Sequence, residues 1–233
     1  MKFEQPDCQH CTHRKDSLFH LCHLNELEEV NDTKSCSVYK KGQALFHEGS
    51  NPQGLFCINS GKVKIYRHAS DGKEQIVRLA KPGDFVGYCS LLAGKTYPVS
   101  AEALEDAIVC MVPRSSISHL LKDNNHFTEG MVKLLCKTVE GSVSKMTDLA
   151  YKPVRGRMAE ALLFLHSFYK DEQNPKGIIT ITREDLASFV GTVKETVIRK
   201  LNEFRKEGFI ETHRSDIEVK NVNGLIQTSR LYD

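Results

Sequence analysis

The feature that most constrains this chain is a change of hydrophobic period partway along it. Between residues 38 and 113, short runs rich in Val, Ile, Tyr and Phe alternate with turn residues. Ala44–His47, Leu55–Asn59, Lys62–Arg67, Glu74–Ala80 and Ile108–Val112 are such runs. Between them lie Lys41-Gly42, Glu48-Gly49-Ser50-Asn51-Pro52, Ser60-Gly61, Ser70-Asp71-Gly72 and Lys81-Pro82-Gly83-Asp84. Strands at this spacing predict an antiparallel barrel or double-sheet roll. Asp71-Gly72 is a hairpin signal, because glycine accepts the positive φ that primed turns need. In Lys62–Arg67, Val63 and Ile65 alternate with Lys62, Lys64 and Tyr66, which predicts one buried and one wet face.

From residue 115 to 149 the period becomes helical, most clearly after Asn125. Val132, Leu135, Val139, Ser142, Met146 and Leu149 are spaced 3, 4, 3, 4, 3. That is an a/d seam, with Ser142 its weak point. One reading is a long helix packed on its own domain. The other is a two-helix dimer seam, and the many polar flanking residues favour it. Pro153 disfavours helix at Lys152, so a break is expected at Tyr151-Lys152-Pro153.

Residues 153–233 read as a second unit. Arg155–Tyr169 is amphipathic through Met158, Ala161, Leu162, Leu165 and Phe168. Lys170–Gly177 is a loop, and Ile178–Ile181 is strand-like. Thr182–Val190 and Val193–Glu207 then form two helices around Gly191. Thr182 is a good N-cap, with Asp185 three residues on. Ala187 permits close helix approach, and Gly191 supplies the turn. Leu186, Val190, Val193, Val197 and Leu201 are the expected shared core. Phe209–Thr212 and Ile217–Lys220 read as two short strands. This is the pattern of a helix-turn-helix followed by a wing.

The second helix has the chemistry to read DNA. From Thr192 to Lys206 it carries five basic and two acidic residues, within a chain of formal net charge +2. Lys194, Glu195, Ile198 and Arg199 share the face away from the apolar positions. Arginine forks onto guanine O6 and N7, glutamate accepts from cytosine N4, and isoleucine meets a thymine methyl. Arg205 and Lys206 lie further along, where phosphates are the expected partners. The bland alternative is a solvated face with Glu195 and Arg199 as an i,i+4 ion pair. Lys200 stands where an apolar residue is often found, and its stem can snorkel.

Composition narrows the classes. With 40% hydrophobic and 27% charged residues in 233, the chain is neither disordered nor fibrous. No apolar run is long enough for a membrane span. Met1–Cys11 has no apolar core of a signal peptide, so a cytoplasmic location is expected. No P-loop, HExxH or GxSxG motif points to an enzyme. The eight cysteines stand at 8, 11, 22, 36, 57, 89, 110 and 136. In a reducing compartment they are poor evidence for disulfides, and Cys57, Cys89 and Cys136 read as buried small hydrophobes.

The order β-roll, long helix, winged helix resembles the CRP/FNR family of bacterial transcription regulators over nearly the whole chain. The residues that carry the resemblance are Gly42, Gly49, Gly61 and Gly83-Asp84, the hinge run Leu149-Ala150-Tyr151, Val154-Arg155-Gly156-Arg157, and Lys194-Glu195-Thr196-Val197-Ile198-Arg199. The resemblance implies an α+β chain. Its parts are a sensory β-roll over 1–124, a dimerisation helix and hinge over 125–150, and a winged-helix DNA-binding domain over 151–233. It implies a homodimer joined through the seam, a palindromic double-stranded DNA site read by Glu195 and Arg199 with Lys194, Thr196 and Ile198 beside them, and RNA polymerase as a partner. The rival reading is a small-molecule- or redox-sensing module whose winged helix serves protein contacts.

The effector stays open. The family's cyclic-AMP branch uses Gly-Glu-Leu and a later Arg-Ser pair, whereas this chain has Gly87-Tyr88-Cys89 and Tyr97-Pro98. A buried phosphate without a cation is costly, so cyclic AMP is not expected. The oxygen-sensing branch holds a [4Fe-4S] cluster on three N-terminal cysteines and one in the roll. By resemblance the ligands here would be Cys8, Cys11, Cys22 and Cys110. The spacing C-x2-C-x10-C is longer in its second interval than the family motif. A zinc site using Cys8, Cys11, and Cys22 or His23 is a further option. Thiols without metal are the plainest one.

Overall fold

In the computed structural model, residues 5–69 and 72–230 are described. They form two compact units, one of residues up to 67 with 77–140, the other of 68–76 with 141–233. In the first unit two single helical turns, Arg14–Asp16 and Leu18–Leu21, precede α1 (Leu24–Thr33). Eight strands follow. They are β1 (Ser35–Tyr39), β2 (Ala44–Phe46), β3 (Gly54–Ser60), β4 (Val63–His68), β5 (Glu74–Ala80), β6 (Phe85–Val86), β7 (Ser100–Ala103) and β8 (Ala107–Pro113). The short helix α2 (Tyr88–Ala93) lies between β6 and β7, and α3 (Arg114–Asp123) follows β8. The strands make two four-stranded sheets, ordered β1-β8-β3-β6 and β2-β7-β4-β5. This is the double-sheet roll that the turn spacing predicts.

Strand alternation gives the β1-β8-β3-β6 sheet two different faces. Phe56 and Ile58 of β3, with Ala107 and Val109 of β8, join Phe46, Ile65 and Tyr97 in the roll interior. Leu55 and Val112 point the other way, into a second core with Phe19, Leu27, Phe127 and Met131. The Phe19 ring meets the Phe85 ring edge-on at 4.9 Å. The N-terminal segment is therefore a lid on the outer face of this sheet.

Several expectations change. Lys62–Arg67 does not alternate, because Val63, Lys64, Ile65 and Tyr66 are all buried. Lys64 tolerates burial since Glu102 on β7 supplies the counter-charge at 3.4 Å. Cys36 and Cys110 form a disulfide, where reduced thiols were expected. The register explains it, since Cys36 on β1 stands directly opposite Cys110 on β8. Cys89 and Cys136 are exposed rather than buried. Ser70 and Asp71 of the expected hairpin turn lie outside the described residues. Gly72 has the positive φ of that turn, and its N–H donates to the Ala69 carbonyl at 2.9 Å.

Helix α4 (Asn125–Tyr151) spans the long heptad-like stretch and stops at the expected place, with Pro153 capping α5 (Val154–Tyr169). In the second unit α5 buries Met158, Ala161, Leu162, Leu165 and Phe168, the stripe read from the sequence. After β9 (Ile179–Thr180) come α6 (Arg183–Val190), α7 (Lys194–Lys206), β10 (Ile210–His213), β11 (Asp216–Val219) and α8 (Val222–Arg230). The three strands pair in the order β10-β11-β9. α8 packs on α5 and was not legible in the sequence. Among the described residues no helix is long and apolar enough to cross a membrane.

The roll's turns are testable through two glycines. Gly61 has φ +79°, and a Cβ there would stand 2.6 Å from the Asp106 carbonyl oxygen. Gly42 has φ +82° but faces open space. In urea denaturation, Gly61→Ala should lose roughly 2–5 kcal/mol, from backbone strain plus overpacking. Gly42→Ala should lose only about 1–2 kcal/mol, from the backbone alone.

Candidate nucleic-acid interface

The helix-turn-helix is built as its residues dictate. The Thr182 hydroxyl accepts the Asp185 N–H at 2.9 Å and donates to the Asp185 carboxylate at 2.7 Å, closing the start of α6. Gly191 ends α6 at φ 74°, with its N–H donating to the Ala187 carbonyl. The shared core is Leu186, Ala187, Val190, Val197, Leu201 and Phe204. Val193, expected in that core, is 48% exposed, because it caps α7 from outside the helix. Phe204, one turn beyond the expected set, extends the core at the other end of α7 and stacks on Phe209.

That packing turns one face of α7 outward. Lys194, Glu195, Ile198, Arg199, Arg205 and Lys206 are exposed, and Thr196 is half-buried at the edge. Among the described residues neither Glu195 nor Arg199 has an intramolecular ion pair, so the bland pairing does not form. Lys194 does pair, with Glu184 of α6. The carboxylate beside it raises the lysine's affinity for its proton. Lys200 is half-buried, and its ammonium reaches Glu203 at 2.8 Å, so the stem packs while the head stays paired.

Two arginines hold α7 in place, and only the motif Val154-Arg155-Gly156-Arg157 hinted at them. Arg155 bonds Glu207 at 2.7 Å and Glu203 at 3.2 Å, with its guanidinium 4.9 Å from the centre of the Phe204 ring. Arg157 donates to the carbonyls of Val190 at 3.1 Å, Gly191 at 3.0 Å and Lys152 at 2.7 Å. Those are the end of α6, the turn, and the link between α4 and α5. Arg183 holds the wing, donating to the carbonyls of Arg214 and Ser215.

On α4 the seam residues divide. Val132, Val139, Met146 and Leu149 are 53%, 62%, 67% and 37% exposed. Ser142 is exposed, and Leu135 is half-buried against the outer core of the roll. Val143, outside the expected seam, is 53% exposed.

Comparison with known proteins agrees with this geometry. A cyclic nucleotide-binding domain model matches residues 37–124, and a Crp-like helix-turn-helix domain model matches 156–228. The fumarate and nitrate reduction regulatory protein of Escherichia coli K12 is 28% identical over 230 residues, covering 94% of this chain and 89% of that protein. The anaerobic regulatory protein of Haemophilus influenzae is 27% identical, covering 94% and 86%. The structure of FixK2 from Bradyrhizobium japonicum superposes with a TM-score of 0.76 at 23% identity, covering 84% of this chain and 96% of that one. The chain thus joins a cyclic nucleotide-binding fold to a Crp-like helix-turn-helix, the domain pair of CRP/FNR regulators, to which it is similar. It is a transcription regulator with a DNA-binding helix-turn-helix, and its relatives are regulators rather than enzymes.

Two ligands associated with CRP/FNR regulators can be tested against these side chains. Where a cyclic nucleotide would need a cation, Tyr97 stacks on Phe46 at 3.8 Å in the roll interior. Its hydroxyl is buried and unpartnered among the described residues, and burial pushes it up to about 12. Tyr88 is buried too. Its hydroxyl accepts from Arg78 and lies 2.6 Å from the Thr138 hydroxyl of α4. The polar groups of this region are engaged with each other or walled by rings, which is no phosphate cradle.

The four cysteines implied for a cluster do not converge. Cys8, Cys11 and Cys110 line one cavity, together with Cys57, Lys34, Asn59 and Arg14. Cys22 is not among them. It is buried in the outer core beside Leu27 and Phe127, and burial pushes its thiol up to about 12. The set Cys8, Cys11, Cys22 and Cys110 therefore does not fit a cluster. His23 is exposed at the start of α1 and closes no zinc site. With Cys110 held by Cys36, no three Cys, His, Asp or Glu side chains among the described residues are grouped to hold a metal.

The arginine clip makes a prediction for this CRP/FNR regulator. Arg157→Ala strips donors from three part-buried carbonyls. The winged-helix unit should lose about 2–3 kcal/mol, read as an earlier transition in thermal or urea unfolding. Arg157→Lys can serve one carbonyl but not the fork, and should recover only part of the loss.

Proposed function

We propose that the chain acts as a homodimer on a palindromic double-stranded DNA site. In this reading residues 1–124 sense an effector, 125–150 form the dimer helix and hinge, and 151–233 read DNA. The observation that carries it is the outward face of α7, where Arg199, Glu195 and Ile198 have the chemistry to read bases and the two ionic groups have no ion pair among the described residues. A helix placed in the major groove specifies sequence through such side chains. Thr196 and Lys194 border them, Lys194 once it leaves Glu184. Arg205 and Lys206 sit where the helix would meet phosphates.

Dimerisation is supported by the apolar residues that α4 leaves in water. Val132, Val139, Val143, Met146 and Leu149 lie along one helix, and a second copy could cover them across a two-fold axis. Leu135 belongs partly to the roll's own packing, and Ser142 is the polar interruption. The roll connects to this helix through the Arg78–Tyr88–Thr138 chain of hydrogen bonds. An effector acting on the roll would bias the helix only by its difference in affinity for two arrangements. Cyclic AMP is not that effector in this reading, because Tyr88 and Tyr97 stand at the positions of its binding residues. By family resemblance the DNA-bound dimer contacts RNA polymerase.

The DNA reading is tested by binding to selected duplexes over a range of salt. Arg199→Ala should cost roughly 1–3 kcal/mol per half-site and relax one base position. Lys206→Ala should weaken all sequences alike and reduce the salt slope by about 1. Unchanged base preference in Arg199→Ala would overturn the reading.

The assembly has its own test. Val139→Glu with Met146→Glu would place like charges against each other in the seam. Sedimentation should then show monomers with far-ultraviolet circular dichroism unchanged, and specific DNA affinity should fall at least about 100-fold through loss of the second half-site. A dimer that survives both changes would place the interface elsewhere.

A further inference from the structure

The wing turns on two residues. His213 ends β10 and stands directly opposite Asp216, which starts β11, so Arg214 and Ser215 alone make the turn. Arg214 has φ 55°, and among the described residues it is the one non-glycine residue in the left-handed region. Ser215 lies outside that region. Positive φ at the first central residue alone is the pattern of a II′ hairpin turn, where glycine fits and a side chain is strained. At Gly61, Gly72 and Gly191 this chain does use glycine for positive φ. A strained residue kept in place points to a use for its side chain.

The neighbours hold the turn and leave that side chain alone. Arg183, the first residue of α6, donates to the Arg214 carbonyl at 2.9 Å and to the Ser215 carbonyl at 3.1 Å. The Thr180 hydroxyl donates to the Asp216 carboxylate at 2.8 Å and ties the base of the turn to β9. Arg214 is exposed, and among the described residues its guanidinium makes no hydrogen bond or ion pair. The wing's carboxylates are engaged elsewhere, since Glu211 and Glu218 both pair with Lys220, at 3.2 and 2.9 Å. Glu184, next to Arg183, pairs with Lys194 at the start of α7. The first turn of α6 therefore holds both the wing tip and the end of α7 that would meet base edges.

We propose that Arg214 is a second specificity-determining residue, which enters the minor groove bordering the half-site and favours A·T pairs there, and that Arg183 is its positioning residue. A major groove occupied by α7 is bordered by a minor groove across one sugar-phosphate strand. Runs of A·T narrow that groove and strengthen its negative potential, which draws an arginine. A G·C pair instead presents the guanine N2 amino group, a donor that meets the guanidinium donors unfavourably. A phosphate contact asks only for a charge on a flexible stem, so it gives no reason for a strained turn fixed by a second arginine. The proposal rests on the DNA reading of α7 and adds a preference outside the bases that α7 would touch.

The test selects binding sites for the full-length protein from random duplexes, then measures affinity for the selected sites with altered flanks. Selection should return half-sites bordered by A·T pairs. Replacing those pairs by G·C should weaken wild-type binding about 5–10-fold. Inosine·C pairs lack the guanine amino group but keep the major-groove pattern of G·C, so they should restore it. Arg214→Gly should bind A·T and G·C flanks alike while keeping the half-site preference, and its thermal midpoint should not fall, because glycine relieves the turn. Arg214→Lys keeps the charge and should lose most of the flank preference. Arg183→Ala should lower the flank preference with Arg214 still present, and Arg183→Lys should recover part of it. Arg214→Gly binding that drops equally on every duplex would make the contact a phosphate one and overturn the minor-groove assignment. So would a flank preference that survives Arg214→Gly, or inosine·C flanks that behave as G·C. Half-sites selected without any flank preference would overturn the wing's part alone, whereas wild-type protein that selects no half-site would overturn the DNA reading itself.

Discussion

Strand β8 is the constraint on which the N-terminal unit depends. It pairs with β1 on one side and β3 on the other, so its residues define both faces of their sheet. Ala107 and Val109 close the roll interior, while Val112 supports the outer core. Because side chains alternate along a strand, one register fixes both cores at once, and a slip of one residue would exchange them. The same register brings Cys36, Cys110 and Cys57 into line. The sulfur-lined cavity is a consequence of how the roll closes, with the N-terminal segment added as a cover.

The winged-helix unit depends on a different device, the satisfaction of backbone carbonyls. The end of α6 and the turn after it leave carbonyl groups without helical partners. Arg157 supplies those donors and ties the same point to Lys152, in the link between α4 and α5. Arg155 grips α7 from its other flank through Glu203 and Glu207. These ionic contacts occupy the inner side of α7, and among the described residues Glu195 and Arg199 have no ion pair. On the same outward face Lys194 is held by Glu184 of α6.

Roll and helix meet through polar atoms as well as apolar ones. Tyr88 lies at the start of α2, directly after Gly87 in the left-handed region, and its hydroxyl joins Arg78 to Thr138. A tyrosine there fills space with a ring and ends in a hydroxyl that links the sheet to α4. Tyr97 fills the neighbouring volume without a polar link. Both rings keep the roll closed and packed.

The sequence by itself determined the order of architectures, the helix-turn-helix and the face of α7 that turns outward. These follow from local rules: turn glycines, a 3.6-residue period, the Thr182 cap and the Gly191 turn. It also marked the break before Pro153. What it left undecided depends on contacts between distant residues. Val193 reads as core by period, yet capping geometry turns it outward. Lys64 reads as wet, yet Glu102 from another strand lets it be buried. Cys22 reads as a partner of Cys8 and Cys11 by resemblance, yet the helical turn before it ends with the sulfur in an apolar core. Cys57 reads as a plain hydrophobe, yet strand pairing sets it opposite Cys110. Period and propensity act over a few residues, whereas register and counter-charge are settled only when the sheet closes. That is why tertiary structure alone decided which sulfurs share a cavity.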